Sequence, residues 1–259
     1  MKSLKKCFAL AGVRKSGLSF SKLLCALVML AVPLCTSCGQ KKIDVQKVLE
    51  KESYKASDLM VAVPGQNFSI LATEVTQELY ESVMGENPSK FKGEKNLPVE
   101  NVRWHDAVEF CNKLSKKAGL ELAYSINGRS FWDVEWNRNA NGYRLPTESE
   151  WNYAARCNRK FEYSGSNNLD KVAWYEENSE EKTHPVAQKK PNGYGLYDMS
   201  GNVQEWCWDW FGDLISERRV VGGCWLSDAD SCEVGDGYWR TGNDTGHFLG
   251  FRIVRSTGK

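Results

Sequence analysis

Cysteine and histidine are the residue types in this sequence best suited to bind a transition metal or to act as nucleophiles. Beyond Cys38 the chain has five cysteines, and their spacing contains no CxxC pair and no zinc-binding pattern. The three histidines are scattered, and none belongs to an HExxH arrangement. We therefore expect no zinc centre, and the odd count leaves at least one thiol free or paired between chains. The residues are Cys111, Cys157, Cys207, Cys224, Cys232, His105, His184 and His247.

Aromatic and small polar residues alternate in the C-terminal stretch from Cys224 to Phe248. Rigid aromatic rings combined with small, adaptable polar side chains are typical of binding surfaces, and aromatic residues anchor the energetic centres of interfaces. The stretch therefore favours a ligand-binding surface, with the folding of the last loops as the alternative interpretation. The candidate binding residues are Cys224, Leu226, Ser227, Asp228, Asp230, Ser231, Asp236, Tyr238, Trp239, Asn243 and His247.

The elements that position these residues are short. Alternating apolar residues over 67–73 predict a strand. Apolar residues recur at three- and four-residue steps from Trp104 to Leu114, which predicts a helix with one buried face. Thr147 and Glu150 have the spacing of a capping box, so a second helix is expected to begin there.

Regular periodicity is largely lost from Asn158 to Phe248, where Asn, Gly, Asp, Ser and Trp dominate. Ordered loops need side-chain hydrogen bonds or an ion, because their backbone groups lack the partners that helices and sheets supply. The 10 tryptophans suit such loops, since each ring buries a large area and carries an N–H that needs a partner. The sequence predicts a loop-rich α+β domain. The net charge is +1 and no basic block follows the N-terminal 38 residues, which argues against nucleic acid as a partner.

The N-terminus has the pattern of an export signal. Lysines and arginines precede an uncharged run over 23–34, which is shorter than the roughly 20 apolar residues of a membrane-spanning helix. Thr36-Ser37-Cys38 resembles a bacterial lipobox, in which the cysteine is acylated. We predict a lipoprotein signal peptide over 1–38 and a tether over 39–60. The protein is then anchored to a membrane of the bacterial cell envelope by lipid, outside the cytoplasm; an ordinary cleaved signal is the alternative.

Several short segments occur in a fixed order from about residue 65 to 255. They are Glu74-Val75-Thr76, Asn87-Pro88-Ser89, Leu97-Pro98-Val99-Glu100, Trp104-His105-Asp106-Ala107, 143–148, 195–203, Glu205-Trp206, Gly222-Gly223-Cys224-Trp225 and Gly250-Phe251-Arg252. Together they resemble the formylglycine-generating-enzyme, or sulfatase-modifying factor, domain family. The resemblance places that domain at 61–257. It implies a C-type-lectin-like fold with two main helices, small twisted sheets and extensive loops.

The resemblance also implies a calcium site in the turn from Asp198 to Glu205. By position, the ligands are the carboxylates of Asp198 and Glu205 and the carbonyls of Gly201 and Val203. Calcium accepts mixed sets of carboxylate and carbonyl oxygens, and glycine permits the backbone bend that such a loop needs. A turn held by hydrogen bonds without metal is the alternative.

Enzymes of the family oxidise a sulfatase cysteine to formylglycine, using molecular oxygen and copper held by two thiolates. The positions matching those cysteines are Ser227 and Cys232, so only the second thiol is present. A serine hydroxyl does not replace a soft thiolate on copper. We therefore expect neither copper nor catalysis, and a copper-dependent formylglycine-generating oxidase remains the alternative function. Cys224 offers a sulfur at a shifted position, or a disulfide partner for Cys232.

The C-terminal stretch is bounded by Gly222-Gly223 and Gly250-Phe251-Arg252. In this it is similar to the variable region of diversity-generating-retroelement proteins, which use the same lectin-type fold and include lipoproteins. The resemblance implies an exported lipoprotein that displays a lectin-type binding surface to a protein or surface ligand. Trp225 is expected to belong to the framework. An inactive accessory domain that docks on one envelope protein is a further alternative.

Overall fold

Residues 42–128, 133–211 and 214–257 are described by the computed structural model. They form a loop-rich α+β unit, which confirms the predicted fold class. The predicted signal peptide, Cys38 and residues 39–41 of the predicted tether lie outside the described residues. Over the described ranges, no helix combines the length and the apolar character needed to cross a bilayer.

Two of the helices match the sequence predictions. The helices in the described part are α1 (Val45–Leu49), α2 (Gln77–Met84), α3 (Trp104–Lys117) and α4 (Glu148–Arg156). The predicted apolar face of α3 is buried from Trp104 to Leu114. At the start of α4, the Thr147 hydroxyl accepts from the Glu150 N–H at 3.2 Å, and the Glu150 carboxylate accepts from the Thr147 N–H at 2.9 Å. The capping box therefore forms as predicted.

The strands belong to three small sheets. Over the described ranges they are β1 (Met60–Ala62), β2 (Phe68–Leu71), β3 (Tyr124–Ile126), β4 (Val134–Trp136), β5 (Tyr143–Arg144), β6 (Gln204–Phe211), β7 (Leu214–Val221), β8 (Gly237–Thr241), β9 (Leu249–Gly250) and β10 (Val254–Ser256). One sheet has the order β1-β2-β10-β5, the second is the β3-β4 hairpin, and the third has the order β8-β7-β6-β9. The third sheet is antiparallel except for the β6–β9 pair.

Buried tryptophans connect α3 to the third sheet. The Trp104 indole donates to the Cys207 carbonyl at 2.9 Å, and the Trp206 indole donates to the Val102 carbonyl at 2.8 Å. Both rings are fully buried, so each places a large apolar area in the core while its N–H keeps a partner. The third sheet and its loops are therefore fixed against the helical side of the domain.

The segment over 42–60 differs from the predicted tether. Val45 and Leu49 of α1 are buried in the main core, as are Ala56 and Leu59 in the turn that follows. The Leu59 carbonyl accepts from the Ala72 N–H at 2.8 Å. These few apolar positions stand among lysines and form no extended period, so the sequence pattern was too short to predict packing. The ordered domain therefore begins before residue 61.

Side-chain hydrogen bonds hold the long loops between α4 and β6. Asn192 donates to the Ala154 carbonyl at 3.0 Å and accepts from the Tyr194 N–H at 2.9 Å. Asn202 accepts from the His184 N–H at 3.0 Å and donates to the Glu74 carboxylate at 2.8 Å. The loops thus obtain from amide side chains the partners that regular structure would supply.

Candidate functional site

The last loops and β8 enclose a shallow groove of about 330 Å³, here called the C-terminal groove. Five of the predicted binding residues line it, and the structure adds three that the sequence reasoning did not include. The predicted residues are Leu226, Ser227, Asp228, Ser231 and Tyr238, and the added ones are Glu176, Gln204 and Arg240. The volume lies at the low end of the range of roughly 300–1,000 Å³ for small-ligand pockets.

Two apolar side chains project from the walls of the C-terminal groove. Leu226 is 43% exposed and Tyr238 is 42% exposed. The Tyr238 hydroxyl forms a 2.6 Å hydrogen bond with the hydroxyl of Ser231. The Ser231 N–H in turn donates to the Asp228 carboxylate at 3.0 Å, and hydrogen bonds from Ser231 lower the pKa of Asp228. The tyrosine ring is therefore held in place while its face stays open.

Arg240 forms the inner side of the C-terminal groove. Its Nε donates to the Gln204 side-chain oxygen at 3.2 Å, and its guanidinium lies 4.8 Å from the ring centre of Phe248. Arg240 lies two positions after Tyr238 in β8, and alternate residues of a strand share a face. Predicting β8 would have added Arg240 to the site. Nothing in the sequence connects Glu176 to it, because Glu176 reaches the groove through a long loop.

Trp239 does not line the C-terminal groove. It follows Tyr238 in β8 and therefore projects from the opposite face of the strand. There its ring contacts Phe211 at a centroid distance of 5.0 Å, and the Arg219 guanidinium lies 5.2 Å from it. The predicted pair of Tyr238 and Trp239 is thus divided between two surfaces.

The remaining candidate binding residues are dispersed around the groove. Asp230 and Asn243 are exposed and Asp236 is half-buried, and none of them lines the groove. His247 packs on Trp225, with ring centres 5.5 Å apart, in an aromatic cluster beside the loops. Trp225 is mostly buried and its indole donates to the His247 carbonyl at 2.8 Å, as expected of a framework residue.

The two cysteines of the C-terminal stretch are buried behind the groove. Cys224 Sγ lies 3.3 Å from the hydroxyl of Ser227, and neither Cys224 nor Cys232 is bonded in a disulfide. Burial raises the pKa of both thiols, that of Cys232 to about 12. The donor set is thus one matching thiol, one hydroxyl and a second thiol at a different chain position. This set does not match the two thiolates that hold copper in the family. Cys224 and Cys232 are both free thiols in the structure, whereas the alternative interpretation was a disulfide between them.

The predicted calcium turn is part of a buried cluster of charges. Both Glu205 oxygens accept from the Arg252 guanidinium at 2.7 Å, and Oε2 also accepts from the Trp151 indole at 2.7 Å. Asp198 Oδ2 accepts from the Ala187 N–H at 2.7 Å. Glu205 and Arg252 are completely buried. An ion pair of this kind replaces the hydration that both groups lose on burial.

Glu74 is a third buried carboxyl in this cluster, and sequence reasoning did not assign it to the site. It accepts from the Val203 N–H at 3.0 Å. Burial, with the nearby carboxylates of Asp198 and Glu205, raises the pKa of Glu74 well above its ordinary value. Burial also raises the pKa of Asp198 to about 6. Three buried carboxyls therefore lie near one buried guanidinium, and the raised pKa of Glu74 favours its neutral form.

One carboxylate oxygen of this turn is available to a cation. Asp198 Oδ1 is buried without a hydrogen-bond partner in the described part of the chain, whereas both Glu205 oxygens already accept from the Arg252 guanidinium. Gly201 has a left-handed φ of 82°, and a side chain there would clash with the Trp174 carbonyl at 2.2 Å. No three acidic, His or Cys side chains in the described ranges converge on one point, so backbone carbonyls are needed to complete a shell.

These features define the class of the protein: a C-type-lectin-like α+β domain whose last loops form an open groove. The sulfatase-modifying factor enzyme 1-like domain family matches residues 37–257. The chain belongs to that family, which confirms the resemblance found in the sequence.

Three known proteins illustrate the relationship. The chaperone protein LppX of Paenibacillus barcinonensis is 38% identical, and the match covers 86% of this chain and 93% of that protein. The structure of Treponema denticola variable protein 1 is 37% identical with a TM-score of 0.70, and the match covers 76% of this chain and 91% of that one. The formylglycine-generating enzyme of Streptomyces coelicolor is 31% identical over 138 residues, covering 48% of this chain and 35% of the enzyme.

Proposed function

We propose that this protein is an exported, lipid-anchored binding protein of the bacterial cell envelope that holds a protein or surface ligand in the C-terminal groove without catalysis. The observation that carries the proposal is the pair of exposed apolar side chains, Leu226 and Tyr238, at the walls of that groove. Exposed aromatic residues fixed by hydrogen bonds are typical anchors of an interface. Similarity to a chaperone and to a variable protein supports binding over chemistry.

The bounds of the C-terminal stretch support a display role. Phe251 and Arg252 are fully buried, and Gly222 and Gly223 have left-handed backbone angles in a tightly packed turn. The residues between these bounds include the exposed side chains of the groove. A fixed frame with variable loops predicts that sequences from close strains differ mainly over 224–248. A stretch as uniform as the rest would favour a single fixed partner and the accessory-domain alternative.

An aggregation assay tests the binding proposal. Heat-denatured citrate synthase serves as a model client with exposed apolar surface, and light scattering reports its aggregation. We expect the protein to reduce scattering, and the double variant L226A/Y238A to lose this effect. Leu122 is 42% exposed and lies outside the groove, so Leu122→Ala is the matched control. Equal loss in the control variant, or no effect of the unmodified protein, would contradict a role for the groove in client binding.

The oxidase alternative has its own measurement. Purified protein is incubated with copper, oxygen and a peptide carrying a sulfatase cysteine motif, and mass spectrometry follows the aldehyde. We expect no aldehyde, because Ser227 supplies a hydroxyl at one of the two matching positions. Turnover that is lost in Cys232→Ser would overturn the non-catalytic proposal.

We also propose that calcium binds at the turn from Asp198 to Glu205 and acts as a structural ion. The supporting observations are the unpartnered Asp198 oxygen and the surplus of buried carboxyls. The carbonyls of Gly201 and Val203 would complete the shell. A bound cation would neutralise the Asp198 carboxylate and link the loop before β6 to the core.

A further inference from the structure

A second concave surface lies on a different part of the domain, between α2, α3 and the turn before β1. It encloses about 490 Å³ and is here called the helix groove. A neighbouring cavity of about 440 Å³ shares Ser57, Tyr143 and Arg255 with it, so the two form one continuous depression. The combined space falls within the usual range for small-ligand pockets, roughly 300–1,000 Å³.

The floor of the helix groove is apolar. Leu79 and Val83 come from α2, and Leu114 comes from α3. All three are at least nine-tenths buried, so each contributes only a small apolar edge to the base of the groove. Leu120 extends this surface past the end of α3. Such a floor favours an aliphatic or aromatic group, because its transfer from water to the groove releases ordered solvent.

The rim of the helix groove is cationic. Lys55, Lys117 and Arg255 all line it, and no aspartate or glutamate is among the described lining residues. None of the three cations forms an ion pair in the described part of the chain. One carboxylate lies beside the rim: Asp58 accepts from the Lys55 N–H at 3.2 Å and lies 3.8 Å from Lys51. Three cations against one neighbouring carboxylate leave the rim with a net positive charge.

Hydrogen bonds orient Lys117 and Arg255 at the rim, and both side chains keep further N–H donors for a ligand. The Lys117 ammonium donates one hydrogen bond, to the Ser82 carbonyl, and has three donors in all. Arg255 Nε donates to the Asn141 carbonyl at 2.9 Å, which orients a guanidinium with five donors. Positioned cations above an apolar floor match an anion attached to a hydrocarbon chain.

We propose that the helix groove binds a single-chain anionic amphiphile of the fatty-acid type. The hydrocarbon chain lies on the floor formed by α2 and α3, and the anionic head is held by Lys117 and Arg255. A folded protein partner fits less well, since a specific protein interface usually buries on the order of 1,000 Å² or more. The site is separate from the C-terminal groove, so either proposal can fail without the other.

Titration with dodecanoate tests the proposal, with the full chain and calorimetric detection at concentrations below micelle formation. We expect saturable binding of one dodecanoate per protein and at least about tenfold weaker binding to Lys117→Glu, because a hydrogen bond to a charged group is lost. Lys116→Glu is the matched control. It is the adjacent exposed lysine on the same helix, and it does not line the groove.

Further ligands and a second variant separate the contributions of charge and chain. Dodecyltrimethylammonium has the same chain with a cationic head and should not bind. Leu120→Asp should weaken dodecanoate binding, and its melting temperature is measured alongside because Leu120 packs partly on the core. Equal weakening by Lys116→Glu and Lys117→Glu would overturn the proposal, as would equal binding of the cationic amphiphile. Dodecanoate that fails to bind while phosphatidylglycerol vesicles bind through Lys117 would assign the rim to a bilayer surface instead.

Discussion

Arg252 is a fully buried cation in the interior of the domain. Its guanidinium neutralises Glu205 through two hydrogen bonds of 2.7 Å and also donates to the Tyr197 carbonyl at 3.0 Å. The sequence identified this arginine only as part of a recurring Gly-Phe-Arg segment. The structure adds that three buried carboxyls surround it, so the position requires a permanent cation with planar, branched donors.

Replacing Arg252 with methionine removes the internal counter-ion. We expect the free energy of unfolding to fall by about 3–5 kcal/mol, because a buried carboxylate loses its partner. Urea denaturation followed by tryptophan fluorescence measures the change. Arg219→Met is the control, since its 3.0 Å pair with Glu148 is partly exposed and should contribute about 1 kcal/mol or less. Equal losses in the two variants would contradict the special role of Arg252.

The calcium proposal is tested at Asp198. We expect the melting temperature of the unmodified protein to be higher in calcium than in a chelator, because an ion that binds only the folded state adds about 2.7 kcal/mol at a hundredfold excess over its dissociation constant. Asp198→Asn keeps the size of the side chain but removes its charge, so the calcium-dependent shift should disappear. An unchanged shift in this variant would place the calcium elsewhere.

At the scale of elements, the two faces of β8 have different roles, one in binding and the other in stability. Tyr238 is exposed in the C-terminal groove, whereas Trp239 packs on Phe211 on the other side of the strand. We expect Tyr238→Ala to reduce the suppression of citrate synthase aggregation with little change in melting temperature. Trp239→Ala should lower the melting temperature, because it removes an aromatic contact, and should leave suppression intact. The reverse pattern would indicate that the groove side of β8 is structural.

Helix α1 offers a second element-scale test, because the segment was predicted to be a tether. Leu49 is 4% exposed and packs in the main core. We expect Leu49→Ala to cost about 2–5 kcal/mol of unfolding free energy, as for other buried leucines. Lys47→Ala, on the exposed side of the same helix, should change it by less than about 0.5 kcal/mol. A negligible cost for Leu49→Ala would restore the tether interpretation.

At the scale of the whole molecule, function depends on where the domain is held. We expect radiolabelled palmitate to enter the protein in cells, and Cys38→Ala to abolish the label and release the protein from the membrane fraction. The physical reason is that acyl chains stabilise membrane attachment by about 0.8 kcal/mol for each buried methylene. Label that persists in Cys38→Ala would exclude this cysteine as the acylation site, and absence of label from the unmodified protein would favour an ordinary cleaved signal.

Local patterns were enough to determine several features from the sequence alone. The buried face of α3, the capping box of α4 and the strand within 67–73 all depend on residues that lie within a turn or two of one another. The ordered set of short segments was specific enough to identify the family and, through it, the fold class. Each helix, strand or short segment is contained in one stretch of chain, and the order of the segments is read along the sequence, so these signals can be recognised without knowing what each stretch contacts.

Only the tertiary structure decided which residues meet. Glu74 reaches the cluster around Asp198 from a segment more than a hundred positions away, and Glu176 reaches the C-terminal groove through a long loop. Tyr238 and Trp239 are neighbours in sequence, yet the pleat of β8 sends them to opposite surfaces. Helix α1 is also held by tertiary packing, because its few apolar side chains are buried in the main core. Their short sequence pattern did not predict this contact. Contacts between residues that are distant in sequence depend on the complete fold, as does the surface that each face of a strand meets. No local pattern encodes either of them.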